Sequence, residues 1–160
     1  MTVAMFLILN LVYSQKDECK IKKDYDEFSE MTSYQGKTFK TSKEKYPVEI
    51  QFLKMLFKTE NYHYSMVVSG NIRACVTRKA RVIFIMKNGD KMYFERSSDK
   101  IDCGVSHMIV NLTKEDLEKL SNESIDKGRL DYEDGQEDFI FSEKAQSDFV
   151  ANLKCIKEVK

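Results

Sequence analysis

Two histidines and four cysteines are the residues best able to support chemistry, because imidazole and thiolate groups act as bases, nucleophiles and metal ligands. His63 and His107 each alternate with apolar neighbours on a predicted strand. Either could approach Cys75 or Cys103 in the fold, which would create a Cys–His dyad or a mixed metal site. The CxxC and HExxH spacings are absent. The sequence therefore favours histidines that have no catalytic role and simply lie on strands. The alternative is that the protein is a small extracytoplasmic hydrolase that uses His63 or His107.

The densest group of carboxylates lies at residues 131–138, with the sequence Asp-Tyr-Glu-Asp-Gly-Gln-Glu-Asp. Calcium binds carboxylates that are grouped around a glycine turn. An EF-hand loop has its glycine at the sixth position, whereas Gly135 is the fifth residue counted from Asp131. We interpret this segment as a solvated hairpin with an acidic rim. No metal or cofactor is predicted, since the phosphate-binding glycine loops and the GxSxG nucleophile motif are also absent.

Four tyrosines on predicted strands are a third group of candidate residues. Aromatic rings on an exposed sheet face can stack against sugars or peptides. The alternative is that these rings belong to the core and carry their hydroxyl groups at its rim. The possible aromatic binding surface consists of Tyr62, Tyr64, Tyr93 and Tyr132.

The hydropathy pattern of residues 1–14 predicts a cleavable signal segment. Residues 3–12 are almost entirely apolar, and polar sequence begins abruptly at Gln15. The run is shorter than the roughly 20 residues of a membrane-spanning helix, and it fits a secretory h-region cut after Ser14. The basic residues expected before such a region are missing. An N-terminal core strand is the alternative. Export is preferred, and it predicts an extracytoplasmic protein, periplasmic or secreted, without a membrane span in the mature chain.

Export makes disulfides the expected state of the cysteines, because oxidising compartments favour them. Four cysteines allow three pairings. We favour Cys75–Cys103, between neighbouring strands, and Cys19–Cys155, between the N-terminal segment and the last helix. In the chain-entropy model, closing these loops contributes at most about 3.5 and 5 kcal/mol to stability.

The overall composition is that of one folded domain with balanced charge. Its 26 basic and 26 acidic residues cancel, so nothing indicates a nucleic acid or an anionic membrane as the partner. Residues 15–46 are polar and predict an irregular lead-in with at most one edge strand. Residues 47–160 predict a β-rich domain with a C-terminal helix.

Apolar alternation predicts strands from Pro47 onward. The alternation changes phase at Leu53, which predicts a β-bulge in that strand. Residues 81–86 are apolar on both faces, as in a central strand that is covered on both sides. Asn88-Gly89 then predicts a hairpin, and Asp134-Gly135-Gln136 predicts a second one.

Two helices are predicted after these strands. Thr113 begins a short helix with a sequence typical of a capping box, which we expect to end near Leu120. Ser142 begins the second, whose apolar stripe is Ala145, Phe149, Leu153 and Ile156. The predicted fold is mainly β (α+β), with seven or eight strands. It is an antiparallel sandwich or an open barrel with a short helix and a C-terminal helix packed on it.

Several short segments also point to a family. They are Ala74-Cys75-Val76, Lys87-Asn88-Gly89-Asp90, Ile101-Asp102-Cys103-Gly104 and residues 112–117 and 153–156. In these segments the chain resembles small secreted or periplasmic proteins of unknown function that are common in Bacteroidota. The resemblance implies an exported bacterial β-domain with a C-terminal helix, and it implies no activity or ligand.

These observations together predict an exported envelope or secreted protein. We expect it to act as a non-catalytic binding or interaction domain, with a protein or glycan of the envelope as its partner.

Overall fold

The computed structural model describes residues 19–43, 45, 47–57, 61–72 and 75–159. The described chain forms two antiparallel sheets and two helices. The strands are β1 (Lys22–Asp26), β2 (Met31–Gln35), β3 (Phe39–Lys40), β4 (Glu49–Leu56), β5 (Tyr62–Ser69), β6 (Arg81–Met86), β7 (Lys91–Glu95), β8 (His107–Leu112), β9 (Ile125–Tyr132) and β10 (Gly135–Ile140). The helices are α1 (Lys114–Asn122) and α2 (Glu143–Glu158). The predicted signal segment, and with it the alternative N-terminal strand, lies outside the described residues.

One sheet has six strands and the other has four. The larger sheet has the order β1-β2-β4-β5-β8, with β3 pairing with β4 as well, and the smaller has the order β10-β9-β6-β7. The sheets meet where Arg96, just after β7, forms an antiparallel β-bridge with Val110 of β8. This mainly β arrangement with a short and a C-terminal helix confirms the predicted fold class, and it is not a closed barrel.

Phe149 of α2 is the centre of the core. Its buried ring makes edge-to-face contacts with Phe39 and Phe52 of the six-stranded sheet, at centroid distances of 5.9 and 5.0 Å. It makes the same kind of contact with Phe84 of the four-stranded sheet at 6.0 Å. Such ring pairs are favourable beyond the burial of their area. Helix α2, whose predicted apolar stripe is buried, therefore joins the inner faces of both sheets.

Both helices begin at the predicted caps. The Thr113 hydroxyl accepts a hydrogen bond from the Asp116 N–H at 3.1 Å, and the Asp116 carboxylate accepts one from the Thr113 N–H at 2.8 Å. This reciprocal pair is the predicted capping box, and α1 continues to Asn122. The Ser142 hydroxyl accepts from the Ala145 N–H at 3.2 Å at the start of α2.

Both predicted hairpins are confirmed. Strands β6 and β7 are joined by residues 87–90, where Gly89 has a φ of 90° and the Asp90 N–H donates to the Asn88 side-chain oxygen at 2.9 Å. Strands β9 and β10 form the second hairpin, with Glu133 and Asp134 in the turn.

The predicted β-bulge at Leu53 is wrong. Strands β4 and β5 pair in one continuous register, so the inward position after Phe52 is taken by Lys54, which is only 4% exposed. The fold accommodates this lysine because its ammonium donates a 2.5 Å hydrogen bond to the Val159 carbonyl, at the C-terminal end of α2. The carbonyl end of a helix favours a cation. An irregularity of this kind occurs instead at Ile85, in the pairing of β6 with β9.

The N-terminal segment contributes more structure than the single edge strand expected of residues 15–46. Strands β1, β2 and β3 all belong to the six-stranded sheet. Strands β2 and β3 follow each other along β4, and the Gly36 N–H between them donates to the Phe52 carbonyl at 2.9 Å. The described residues therefore contain ten strands, more than the seven or eight predicted.

Both disulfides join the cysteines favoured from the sequence, Cys19 to Cys155 and Cys75 to Cys103. They are compatible with an oxidising, extracytoplasmic compartment. Cys19–Cys155 connects the chain before β1 with α2, and Cys75–Cys103 connects the loop before β6 with the loop before β8.

Arg96 strengthens the region around the second disulfide. Its side chain is only 6% exposed and donates to the Val76 carbonyl at 3.0 Å and to the Asp102 carboxylate. Val76 and Asp102 also form a β-bridge beside the disulfide. Because Arg96 itself bridges to β8, this cluster fastens two loops at the junction between the sheets.

Candidate functional site

The outward-facing residues of the four-stranded sheet form a regular array. Neighbouring strands of a sheet lie about 4.8 Å apart, and successive outward residues of one strand lie about 7 Å apart. In the order β10, β9, β6, β7, the rows are Gln136–Asp131–Arg81–Glu95, Asp138–Arg129–Ile83–Tyr93 and Ile140–Lys127–Ile85–Lys91. We call the central part of this array the Tyr93 platform and define it as Ile83, Ile85, Lys91, Tyr93, Lys127 and Arg129.

Two half-buried isoleucines form the middle of the platform. Ile83 and Ile85 alternate with Val82 and Phe84, which face the core. Their outer sides line an open depression of about 260 Å³ that is formed by residues of this sheet alone. The expectation that residues 81–86 are covered on both sides is therefore wrong for the outer face. Apolar side chains remain accessible there.

Two ion pairs compensate part of the positive charge in and beside the platform. Arg81 donates to the Asp131 carboxylate at 2.9 Å, and Arg129 makes two hydrogen bonds to Asp138, one of them 2.8 Å long. The hydrogen bonds between Arg129 and Asp138 raise the pKa of the guanidinium and lower the pKa of the carboxyl group. The Arg129–Asp138 pair is therefore charged at neutral pH.

Lys91 and Lys127 lie on either side of Ile85, on β7 and β9. Both are exposed, and neither forms an ion pair with another of the described residues. Because β6 separates their strands, their Cα atoms lie about 10 Å apart. They give the platform two positive charges that an anionic group of a partner could neutralise.

Tyr93 stands beside Ile83 on the edge strand β7 and is 54% exposed. The Arg81 guanidinium lies 5.6 Å from the centroid of its ring. A cation over a ring face restrains the ring through electrostatic attraction. The platform thus combines an apolar centre, an exposed aromatic ring and two lysines that form no ion pair within the described chain.

The structure does not bring the four predicted tyrosines into one surface. Tyr62 and Tyr64 lie on β5 beside Lys54, whose ammonium is 4.1 and 5.5 Å from their ring centroids. Tyr132 is on the opposite face of the four-stranded sheet from Tyr93 and packs against the core. Of the four, only Tyr93 belongs to the platform.

The cluster around Lys54 supports the fold. Burial lowers the pKa of Lys54 and raises the pKa of Tyr64, since both shifts favour the neutral form of a desolvated group. The ammonium is already used as a donor to Val159. This cluster therefore holds the end of α2.

The two candidate histidines lie far apart on the outer face of the six-stranded sheet. His63 contacts the Phe57 ring at 5.2 Å, whereas His107 pairs with Ser69 at the other end of β5. Six residues of an extended strand correspond to about 20 Å. All four cysteines form disulfides, so neither histidine has a thiolate partner. Among the described residues no group of three or more His, Cys, Asp or Glu is placed to hold a metal ion.

A larger recess of about 430 Å³ lies at the start of α2 and is lined by lysines. Two of these are paired, Lys144 with Asp148 at 2.6 Å and Lys40 with Glu49 at 3.8 Å. The others are Lys37 and Lys43. None of the histidines, cysteines or tyrosines considered as site residues lines this recess, and its one aromatic ring, Phe39, is buried.

Comparison of the chain with protein-family models, curated proteins and solved structures finds no match. The resemblance to small exported proteins of Bacteroidota therefore stays a prediction. Neither helix of the described chain has the length and apolar character needed to cross a membrane.

Proposed function

We propose that this protein is an exported, non-catalytic domain that binds another protein through the Tyr93 platform. The observation that carries the proposal is an accessible apolar centre, Ile83 and Ile85, bordered by Tyr93 and by two lysines without an ionic partner in the described chain. Protein interfaces concentrate their binding energy in tyrosine, arginine and apolar side chains at the centre of a patch.

The size and charge of the platform favour a partner segment with acidic residues and one apolar or aromatic anchor. The depression of about 260 Å³ is smaller than the roughly 300–1,000 Å³ of typical small-molecule pockets, but it has room for a side chain. Lys91 and Lys127 would pair with the acidic residues of such a segment. A neutral glycan could stack on Tyr93 but would bring no negative charge to either ammonium group.

Export is the second half of the proposal. It is supported by the apolar segment at residues 3–12 and by the two disulfides, which persist in oxidising compartments. N-terminal sequencing of the protein recovered from cell fractions tests it. A chain that begins near Gln15 in the extracytoplasmic fraction is expected, and an intact Met1 in the cytosol would refute export.

The binding half of the proposal is tested with the oxidised protein on an array of random peptides and an array of acidic and neutral oligosaccharides. Wild-type protein is expected to bind peptides that combine acidic and aromatic residues. The variants Lys91→Glu/Lys127→Glu and Tyr93→Ala are expected to lose at least about tenfold in affinity, the range of interface hot spots.

The matched control makes the same charge change at the lysine-lined recess. Lys37→Glu/Lys43→Glu is expected to bind like the wild type because those residues lie outside the platform. Equal loss in both double variants would show non-specific charge attraction. Binding of oligosaccharides but not peptides would show that the partner is a glycan and not a protein. Each of these two results would overturn the proposal.

The hydrolase alternative is tested separately with His63→Gln/His107→Gln. We expect this variant to bind the array like the wild type, because both histidines lie on the other sheet. Turnover in a hydrolase panel that disappears in the variant would favour the alternative.

A further inference from the structure

The hairpin of β1 and β2 presents an exposed aromatic side chain at its turn. Phe28 is 95% exposed, the largest exposed fraction among the large apolar side chains of the described residues. Tyr25 is also exposed, and so is every residue from 22 to 30. We call residues 24–30 the β1–β2 tip. A phenylalanine left in water is unfavourable and gains free energy when a partner covers it.

Hydrogen bonds within the turn hold Phe28 in this position. The Asp26 carboxylate accepts from the Phe28 N–H at 3.0 Å and from the Ser29 hydroxyl at 2.7 Å. These hydrogen bonds restrain the backbone that carries the ring. Such preorganisation lowers the entropic cost of association.

The tip is also acidic. Four of its seven residues carry carboxylates, and it contains no lysine or arginine. The carboxylates stand on both sides of Phe28 in the sequence, at Asp24, Asp26, Glu27 and Glu30. An aromatic ring with flanking negative charges is the kind of segment that the Tyr93 platform is suited to bind.

We propose that the partner of the Tyr93 platform is the β1–β2 tip of a second copy of this chain. Phe28 would lie over Ile83 and Ile85, and the tip carboxylates would face Lys91 and Lys127. The 95% exposure of Phe28 shows that the tip does not occupy the platform of its own molecule. This inference rests on the proposed function, because it names the occupant of the same surface.

The two surfaces are different parts of the molecule, so the contact is heterologous. One tip is smaller than the roughly 800 Å² per partner of a standard stable interface, so we expect weak, concentration-dependent association. Charges on both sides are exposed and therefore screened by salt. Association should fall as the ionic strength rises.

The first test is sedimentation velocity of the oxidised full chain over a concentration series at low and high salt. The average mass of the wild type is expected to rise with concentration and to fall with added salt. Phe28→Ala and Lys91→Glu/Lys127→Glu are each expected to weaken association at least about tenfold. Lys37→Glu/Lys43→Glu should associate like the wild type. All substituted side chains are exposed, so unchanged thermal unfolding will show that the variants are folded.

The second test mixes the two defective proteins. Phe28→Ala keeps an intact platform, and Lys91→Glu/Lys127→Glu keeps an intact tip. Each alone should remain monomeric, whereas the mixture should form a 1:1 complex, since only one productive contact is possible.

Three results overturn the inference: a wild-type protein that stays monomeric at every concentration, a Phe28→Ala variant that associates like the wild type, or a mixture without a complex. If the platform still binds peptides on the array, the proposed function survives and only the identity of the occupant is wrong. If Lys91→Glu/Lys127→Glu changes neither peptide binding nor association, both fail.

Discussion

The outer faces of the two sheets differ in charge more than in apolar content. On the six-stranded sheet, the central outward rows are Gln51–Val67–Ile109 and Leu53–Ser65–Asn111, and they contain no charged residue. On the four-stranded sheet, the isoleucines are bordered by lysines and arginines. Partly buried apolar residues are therefore common to both faces and do not define a site. Under the proposed function, the charges beside them determine what kind of partner binds.

The inner faces, by contrast, form one shared core. The Phe149 ring contacts phenylalanines of both sheets, and Arg96 and Val110 bridge the strands where the sheets meet. The outer faces of both sheets therefore rest on the same hydrophobic core. Changes to the core should affect both faces, and changes to one sheet should affect its own face first.

The largest effect is expected from Phe149→Ala. Removing this fully buried ring should lower the free energy of unfolding by about 3–5 kcal/mol. Both sheets should unfold in a single urea transition when followed by circular dichroism and tyrosine fluorescence. Phe28→Ala is the control and should change stability little. Two separate transitions would contradict a shared core.

The next effect is expected from Cys75→Ser/Cys103→Ser, which opens the junction between the sheets. Loss of this disulfide should reduce stability by about 2–4 kcal/mol. Hydrogen exchange should accelerate at residues 96–110, which Arg96 and the disulfide hold together. Cys19→Ser/Cys155→Ser is the comparison, and its exchange should increase near β1 and α2 instead. The same exchange pattern in both variants would show that neither bond acts locally.

A smaller effect that is specific to one sheet is expected from Gly128→Ala. A Cβ atom at this position would lie 2.3 Å from the Phe139 ring, which pairs with it across β9 and β10. Overpacking of this kind costs about 1–3 kcal/mol. Adding Phe139→Leu should recover part of the loss in a double-mutant cycle of urea unfolding. Purely additive losses would exclude a direct clash.

The smallest effect is expected from Asp138→Asn, which releases the charge of Arg129 within the platform. Affinity for acidic peptides should rise a few-fold, with a steeper dependence on salt. Acid stability should also change. The pKa of Asp138 is lowered from 3.8 in the folded state, so its contribution is present above pH 3.8 and is lost as the pH falls through the lowered value.

Urea unfolding at neutral and acidic pH measures this contribution of Asp138. The wild type should lose more stability on acidification than the variant. An equal loss would mean that the exposed pair contributes nothing measurable, which is common for surface ion pairs.

Local sequence signals predicted the elements that depend on local chemistry. Asn88-Gly89, Thr113 and Ser142 mark the ends of elements because each supplies a hydrogen bond or a backbone angle where it stands. The disulfide pairing was also predicted, but Cys75 and Cys103 lie in loops rather than on neighbouring strands, and Cys19 and Cys155 are separated by 136 residues. The helix caps and the Asn88-Gly89 turn, unlike the disulfides, need little information about distant parts of the chain.

The features that were missed depend on tertiary contacts. The inward position of Lys54 is acceptable only because the end of α2 supplies an acceptor, 105 residues later in the chain. The Tyr93 platform could not be predicted from the sequence for a related reason. A two-residue Asn88-Gly89 turn would pair Met86 with Lys91, but the observed register pairs Ile85 with Lys91. A shift of one residue moves every side chain to the other face.

Phe149 of helix α2 packs against both sheets, so the side chains that tolerate change are those on the outer surface of the molecule. Side chains at Tyr93, Lys91 and Lys127 can be exchanged without repacking Phe149 or its neighbours. The same scaffold could therefore be diversified at these positions, by natural drift or in a display library, to acquire new specificities. Its stability would remain a property of the untouched core.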